Sequence, residues 1–408
     1  MKKLISILLS IMILCSLTGC KMVEETPVNK YGFNYRADME KPVDGLAFGM
    51  CHIGYSLDKW NGVDYYTITS LMENMGVKLV RIWMHCDWLM DDPNTYKEGM
   101  VEYFQDQIAD AKSHGFEIIV MNHSNFHKDG LPNSPSGVAK PSRDMSEGSY
   151  YLSWLKDYET TWYNMVRQFP DVKYWEIDNE CNIDTFCKRL EGGAFSLEEK
   201  AKIFTDMMYF ASQGIHRANP NAVTVMGGLV TSTAETFLEY IYENIKAPNS
   251  WSPYPDDYFQ VAAWHPYMVD YAPKKWENQQ KNIYNVIKTN EGKDKKVFLT
   301  EMGWSEENVP TAEVGENIRS TYSIIQNNLD FVESACYFKM VDTLSSSWNT
   351  TSEKYFGMFY DATPSTSSLD WAQDNFVRGG AKPYAYIYQE LAGGTGSLDL
   401  LLNYVRPN

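Results

Sequence analysis

The sequence predicts a (β/α)8 barrel over residues 45–408. Three observations lead there. From residue 45 onward, eight apolar runs of strand length alternate with helical patterns. No Gly-rich phosphate loop follows the first run, which disfavours the doubly wound open sheet that shares this alternation. Polar and aromatic residues gather instead at the C-terminal ends of several runs, the face on which barrels build their sites. Hydrophobic residues make up 44% of the chain, enough for a sizeable core. No Gly/Ser/Pro-rich linker divides it and no repeat of solenoid length appears, so one domain is expected.

In chain order, Gly45 to Gly54 reads as the first strand and Tyr65 to Met75 as a helix stopped by Gly76. Lys78 to Met84 is the second strand, followed by a helix from about Met100 to His114 that ends at Gly115. Phe116 to Asn122 is nearly continuous apolar sequence, the third strand. After a loop holding Pro132, Pro135 and Pro141, a helix runs from about Tyr151 to Phe169 and stops at Pro170. The fourth strand begins near Lys173 and is rich in aromatic and β-branched residues. Then come a helix over Leu197 to Ala218 and a fifth strand over Ala222 to Gly228. A helix near Glu235 to Lys246 precedes the sixth strand, Phe259 to Tyr267, and one near Lys281 to Glu291 precedes the seventh, Lys295 to Glu301. A helix from Val314 to Asn327 leads to the eighth strand, Phe331 to Met340, and Ala381 to Leu391 is the closing helix.

The first twenty residues read as an address. Lys2 and Lys3 precede an apolar Leu4 to Leu14, too short to span a bilayer comfortably, and Leu17-Thr-Gly-Cys20 resembles a bacterial lipobox. That resemblance implies cleavage before Cys20, a lipid on its thiol, and an extracytoplasmic protein anchored to the cell envelope rather than spanning it. Residues 21–44 carry no strong pattern and read as a tether. A net charge of −17 argues against nucleic acid as a partner. Seven cysteines are present, and five remain once Cys15 leaves with the signal and Cys20 is lipidated. No CxxC pair or Cys/His cluster stands at ligand spacing, so no metal site is expected. Cys181 with Cys187, and Cys51 with Cys86, are placed to form disulfides, with free buried thiols the alternative. Nothing in the chain asks for a partner subunit, and a monomer is expected.

The chemistry is read from the strand ends. The stretch Lys173-Val-Lys-Tyr-Trp-Glu-Ile-Asp-Asn-Glu180 carries Glu176, Asp178 and Glu180 two residues apart, which a continuing strand would place on one face. A solvated acidic edge would explain the spacing alone, because unpaired buried charge is expensive. Asn179-Glu180 at a strand end resembles the pair closing the fourth strand of retaining glycoside hydrolases of clan A, where the Glu is the general acid/base. The seventh run stops at Glu301, followed by Gly303 and Trp304, and resembles the strand that ends in the nucleophile of those enzymes. Between them, Ala-Trp-His265-Pro-Tyr267 resembles their sixth strand with its His-x-Tyr ending. Arg81, inside Leu-Val-Arg-Ile-Trp83, matches the Arg that keeps the nucleophile ionised, and pairs by simple electrostatics with Glu176 or Asp178. Asn122-His123 resembles the strand-end His of family 5.

The eighth strand departs from the pattern. Family members commonly end it with a Trp that floors the sugar subsite, whereas Tyr337-Phe-Lys-Met-Val-Asp342 offers Lys339 and Met340, leaving Trp348 as a substitute platform, with surface packing the alternative. Cys181 replaces the Pro usual after the acid/base. Tyr355-Phe-Gly-Met-Phe359 and Lys382-Pro-Tyr-Ala385 resemble the closing segments of such barrels, so the likeness covers nearly the whole mature chain, with families 5 and 39 nearest in texture. It implies a retaining β-glycosidase without a cofactor. Glu180 would protonate the leaving oxygen and Glu301 attack the anomeric carbon. Asn179, Arg81, His123, His265, Tyr267, Trp304 and Trp348 would bind the β-linked glycan. An endo-acting β-glycanase on plant-type polysaccharide is the expectation; an exo-β-glycosidase of β-xylosidase type and a non-catalytic glycan-binding lipoprotein are the alternatives.

Overall fold

The computed structural model describes residues 46–52, 65–128, 137–343, 352–361 and 379–403. Cys20 and Trp348 lie outside the described residues. Eight strands, β1 (Ala47–His52), β2 (Leu79–Trp83), β3 (Glu117–Asn122), β4 (Tyr174–Ile177), β5 (Val223–Met226), β6 (Ala262–His265), β7 (Val297–Met302) and β8 (Val332–Tyr337), follow one another in the chain. Between and after them run α1 (Tyr65–Asn74), α2 (Met100–Ser113), α3 (Tyr150–Gln168), α4 (Leu197–Ala218), α5 (Thr231–Lys246), α6 (Pro273–Glu291), α7 (Thr311–Asn328) and α8 (Pro383–Ala392). The strands pair in parallel in the order β6-β7-β8-β1-β2-β3-β4-β5, curling into the single-domain (β/α)8 arrangement that the alternation predicts.

The curl is not closed by a continuous ladder. β5 pairs with β4, breaks at Gly227-Gly228, and resumes as Leu229–Val230, which pairs with β6 instead. Across the seam β5 meets the chain entering β6 at the Val225–Val261 bridge, with Met226 N–H donating to Val261 O and the N–H groups of Gln260 and Val261 donating to Thr224 O. At the break the backbones come so close that only glycine fits: a Cβ on Gly227 would lie 2.4 Å from the carbonyl oxygen of Ile177. The expected fifth strand therefore ends two residues early.

Inside the curl, Ala47, Leu79, Ile119, Tyr174, Val223 and Phe298 pack together; the alternate residues of the same strands face the helices in a larger outer core. Arg81 and Glu176 fall in the inward rows, so polar groups enter the barrel by strand periodicity alone. Helix ends follow local chemistry. Ser196 and Glu199 form a reciprocal capping box at the start of α4, and Gly292 ends α6 in the left-handed conformation. Three helices begin earlier than expected, α7 among them at Thr311 rather than Val314. α5 opens at Thr231, directly after Leu229–Val230, and α6 opens at Pro273, whose fixed φ suits the first helical position. No helix among the described residues is long and apolar enough to cross a membrane.

His216, in the last turn of α4, ties that helix to the barrel through Ala222 O at 3.1 Å and Gln260 Oε1 at 3.3 Å. Burial pushes its imidazole down to about 4. The folded value lies below the ordinary one, so this stability is complete above about pH 6.5 and is lost as pH falls towards 4. The full difference is worth about 3 kcal/mol. The urea midpoint should fall across that window, and fall less in His216→Gln; parallel pH curves would clear His216 of the effect.

Candidate active site

Arg81 is the hub. Its guanidinium is fully buried and holds two carboxylates at once: Nε lies 2.5 Å from Glu176 Oε2 and Nη1 lies 2.6 Å from Glu301 Oε1. Nη2 donates to Glu176 Oε1 at 3.1 Å and to Asn179 Oδ1 at 2.8 Å. Burial opposes the charge, but Glu176 and Glu301 together raise Arg81 well above its ordinary value. The choice between Glu176 and Asp178 as its partner thus falls to Glu176. Thr300 Oγ1 and Gly228 N–H also donate to Glu176 Oε1, each at 3.0 Å, so this buried carboxylate is well satisfied.

Thr300 and Glu301 are consecutive residues of β7, yet both reach inward. A regular strand would send one of them outward. The pairing with β8 slips between Leu299 and Met302, and that irregularity lets Thr300 serve Glu176 while Glu301 Oε2 accepts from Tyr267 Oη at 3.0 Å. Burial, then the neighbouring Glu301, hold the Tyr267 phenol well above its usual value, so it remains a donor.

The expectation that Glu176, Asp178 and Glu180 share one strand face is corrected. β4 ends at Ile177, and both Asp178 (φ 69°) and Glu180 (φ 46°) adopt left-handed backbone conformations. The three acids consequently meet different partners: Glu176 meets Arg81, Asp178 meets Lys140 at 2.8 Å, and Glu180 Oε1 meets His265 Nδ1 at 2.8 Å. The backbone N–H of Glu180 donates to Gly228 O at 2.8 Å. Only glycine fits at 228, where a Cβ would lie 2.1 Å from His265 Nε2.

The network also orients His265. The Thr300 hydroxyl spends its proton on Glu176, so His265 Nε2, 3.1 Å from Thr300 Oγ1, must be the donor to that oxygen. Nδ1 and Glu180 then need one shared proton between them. Burial opposes a charged imidazole, but Glu301 and the contact with Glu180 raise His265 above its ordinary value. Donor atoms of Glu180, His265 and Glu301 all lie within 4.8 Å of one another. That close spacing needs no bridging cation, since each atom already has a hydrogen-bond partner.

Two carboxylates facing each other at the C-terminal ends of β4 and β7, each with its own partners, now stand beside a family match. The model of the cellulase family, glycosyl hydrolase family 5, matches residues 41–335. The chain belongs to glycosyl hydrolase family 5. That family lies in clan A of the retaining glycoside hydrolases, in line with the sequence resemblance. Among solved structures, a family 39 glycoside hydrolase from the gut symbiont Bacteroides cellulosilyticus is 14% identical over 87% of this chain and 64% of that one, with a TM-score of 0.60. The chain thus spans less than two thirds of that enzyme's length. An endo-β-1,4-glucanase from Xanthomonas axonopodis pv. citri is 12% identical over 85% of this chain and 99% of that one, at TM-score 0.55. A GH5_18 protein from Bifidobacterium longum subsp. longum, in complex with Manβ1-4GlcNAc, is 13% identical over 85% and 78%, at 0.56. At such identities these likenesses concern the fold. No curated protein sequence matches the chain.

The remaining expected residues of this family 5 chain divide. His123 packs against aromatic rings, its own 3.8 Å from that of His85 and 5.3 Å from that of Phe186. Burial, and then His85, hold His123 well below its ordinary value; burial and Arg81 push His85 down to about 3. Both imidazoles are therefore neutral at pH 7. Among the described residues, Trp83 Nε1, His85 Nε2 and His123 Nδ1 have no hydrogen-bond partner. Trp304 is buried in the outer core with its ring edge-on to Tyr271 at 5.3 Å, and does not join the group around Glu301. At the end of β8 it is Phe338 that faces the centre, edge-on to Tyr267 and to Phe356. Sequence reasoning passed over Phe338 by looking for a Trp, and its position just after the β8 run was the available signal. It also passed over Thr300, Gly228 and Lys140. All five described cysteines are free and buried. The expected Cys51–Cys86 neighbourhood is replaced by Cys51 beside Cys336, since β1 lies against β8. Cys181 does lie beside Cys187.

Proposed function

We propose that the chain is an endo-acting β-glycanase working by double displacement, with Glu180 as acid/base and Glu301 as nucleophile. One observation carries the assignment of roles: the two carboxylates approach within 4.8 Å but have opposite surroundings. Glu301 accepts from a permanent cation, Arg81, and from a phenol, Tyr267, which stabilise an attacking carboxylate. Glu180 touches neither; it shares a proton with His265 and so has one to give. Retaining enzymes place these groups about 5–5.5 Å apart, leaving no room for the extra water of an inverting site.

In the first step Glu180 protonates the glycosidic oxygen as Glu301 attacks the anomeric carbon. In the second, Glu180 takes a proton from water, which hydrolyses the glycosyl-enzyme. His265 carries the intervening charge change by exchanging a proton across its Nδ1 contact, while Thr300 keeps the ring oriented. Asn179 turns its oxygen to Arg81, so its amide N–H groups are available to the sugar 2-hydroxyl. Phe338 supplies the aromatic floor.

The endo reading draws support from the lipobox at Leu17–Cys20, since an anchored enzyme acts on polymer at the cell surface, and from the fold shared with an endo-β-1,4-glucanase. A second reading, exo-β-glycosidase, draws on the glucosidase from Croceicoccus marinus, 14% identical at TM-score 0.58. The test is digestion of a panel of β-glucans, mannans, xylans and galactans, followed by product sizing and NMR of the fresh anomer. A rapid fall in polymer length with retained anomer is expected. Release of single sugars from chain ends would favour the exo reading, and inverted product would overturn the mechanism.

A further inference from the structure

The catalytic turn Asp178-Asn179-Glu180 is held residue by residue from different elements. Asn179 is fixed from β2 by Arg81, and Glu180 from the chain after β5 by Gly228 O and from β6 by His265. Asp178 is fixed by Lys140. Both side chains are completely buried, and Nζ lies 2.8 Å from Asp178 Oδ2. The other carboxylate oxygen, Oδ1, accepts the N–H of Asn179 at 2.7 Å, and the N–H of Asp178 itself donates to Asn122 O at the end of β3. Lys140 comes from outside the barrel proper. It lies in the two-residue strand Ala139–Lys140, which pairs with Lys188–Arg189, so it ties the loop after β3 to the loop after β4.

Two non-glycine residues of three in left-handed backbone is a costly arrangement that persists only where the surroundings impose it. A buried ion pair is a poor way to gain stability, because desolvating two charges cancels most of their attraction. Its geometric effect is different: with Lys140 on one oxygen, the other is aimed at the Asn179 amide and the turn is closed. Burial raises Asp178 despite the opposing effect of Lys140, so without the lysine nothing would hold Oδ2 in place while Oδ1 serves the Asn179 amide.

We infer that Lys140 is a positioning residue for the acid/base Glu180: through the Asp178 carboxylate it fixes the left-handed turn that presents Glu180 to the glycosidic oxygen. This rests on the assignment of Glu180 above.

The test uses the double substitution Lys140→Met/Asp178→Leu, which removes both buried charges and keeps apolar volume, so the fold should survive. Lys140→Met and Glu180→Ala are measured beside it. The substrates are matched phenyl and 2,4-dinitrophenyl β-glycosides of cellobiose, xylobiose and mannobiose, using whichever sugar the parent enzyme cleaves. Phenolate leaves poorly and needs the proton; dinitrophenolate does not. The double variant should melt near the parent temperature and lose about 10–100-fold in kcat on the phenyl glycoside, as expected for a misaligned proton donor. On the dinitrophenyl glycoside its burst should stay within about threefold of the parent, since that step needs no proton. KM for the phenyl glycoside should change little. Equal losses on both glycosides, or no loss on either, would overturn the inference even if Glu180→Ala shows the contrast. If Glu180→Ala shows no contrast, the acid/base assignment itself falls and the role of Lys140 with it.

Discussion

Glu301→Ala should lower turnover of polysaccharide by about 10⁴-fold or more, because no glycosyl-enzyme can form without the nucleophile. The fold should survive, for a reason specific to this network. Arg81 is fully buried and would be ruinous if left alone, but Glu176 grips it through both oxygens independently of Glu301. Removing Glu301 therefore costs one charged hydrogen bond to Arg81 and the acceptor of Tyr267, about 1–3 kcal/mol. Glu176→Ala would act in the opposite sense, leaving Thr300 and Gly228 without their common acceptor. The kinetic loss in Glu301→Ala should thus appear in a protein whose thermal midpoint falls by only a few degrees. A 2-fluoro glycoside inactivator should label the parent at Glu301; a label on any other carboxylate would reassign the nucleophile.

Much of this was legible in the sequence, for a physical reason. Strands buried on both faces must be apolar, so the β3 run Phe116 to Asn122 announces itself, and polar residues at such run ends stand out by contrast. Such run ends, read with the clan A resemblance, pointed to Glu180, Glu301, His265 and Tyr267, and the structure brings all four together. What stayed hidden was set by departures from periodicity. Period two places Asp178 and Glu180 on the face of Glu176, but the chain leaves the strand at Ile177 and turns left-handed. Period two also sends Thr300 away from Glu301, and only the slip in the β7–β8 pairing brings both inward. Cys336 was invisible because its partner Cys51 comes from β1 lying against β8, and Lys140 because it sits in a two-residue strand that only the pairing of the loops after β3 and β4 creates. α6 began earlier than read because Pro273 to Gln280 is polar at many positions, so its first turns lack an apolar stripe.

Glu180→Ala should separate the two steps of the reaction by leaving group. A polysaccharide oxygen leaves as a poor alkoxide and depends on the proton that Glu180 shares with His265. General acid–base help is worth about 10²–10⁴-fold, and that is the loss expected on polymer. Dinitrophenolate leaves unaided, so with a dinitrophenyl glycoside Glu301 should be glycosylated at near the parent rate. The enzyme should then stall. The carboxylate base that activates water is gone, while His265 stays tied through Nε2 to Thr300. The signature is a burst of dinitrophenol, a low apparent KM from accumulated intermediate, and rescue by azide, which needs no base and yields a β-glycosyl azide with retained configuration. The His265 environment adds a second readout. With Glu180 gone, one of the two acceptors that hold its imidazole above the ordinary value is lost, leaving Glu301 as the main support, so the His265 titration followed by NMR should move down in pH. Equal losses on both substrates, without azide product, would take the acid/base role from Glu180. Asp178 could not inherit it, being fully buried against Lys140, and the proton would have to come from His265 itself.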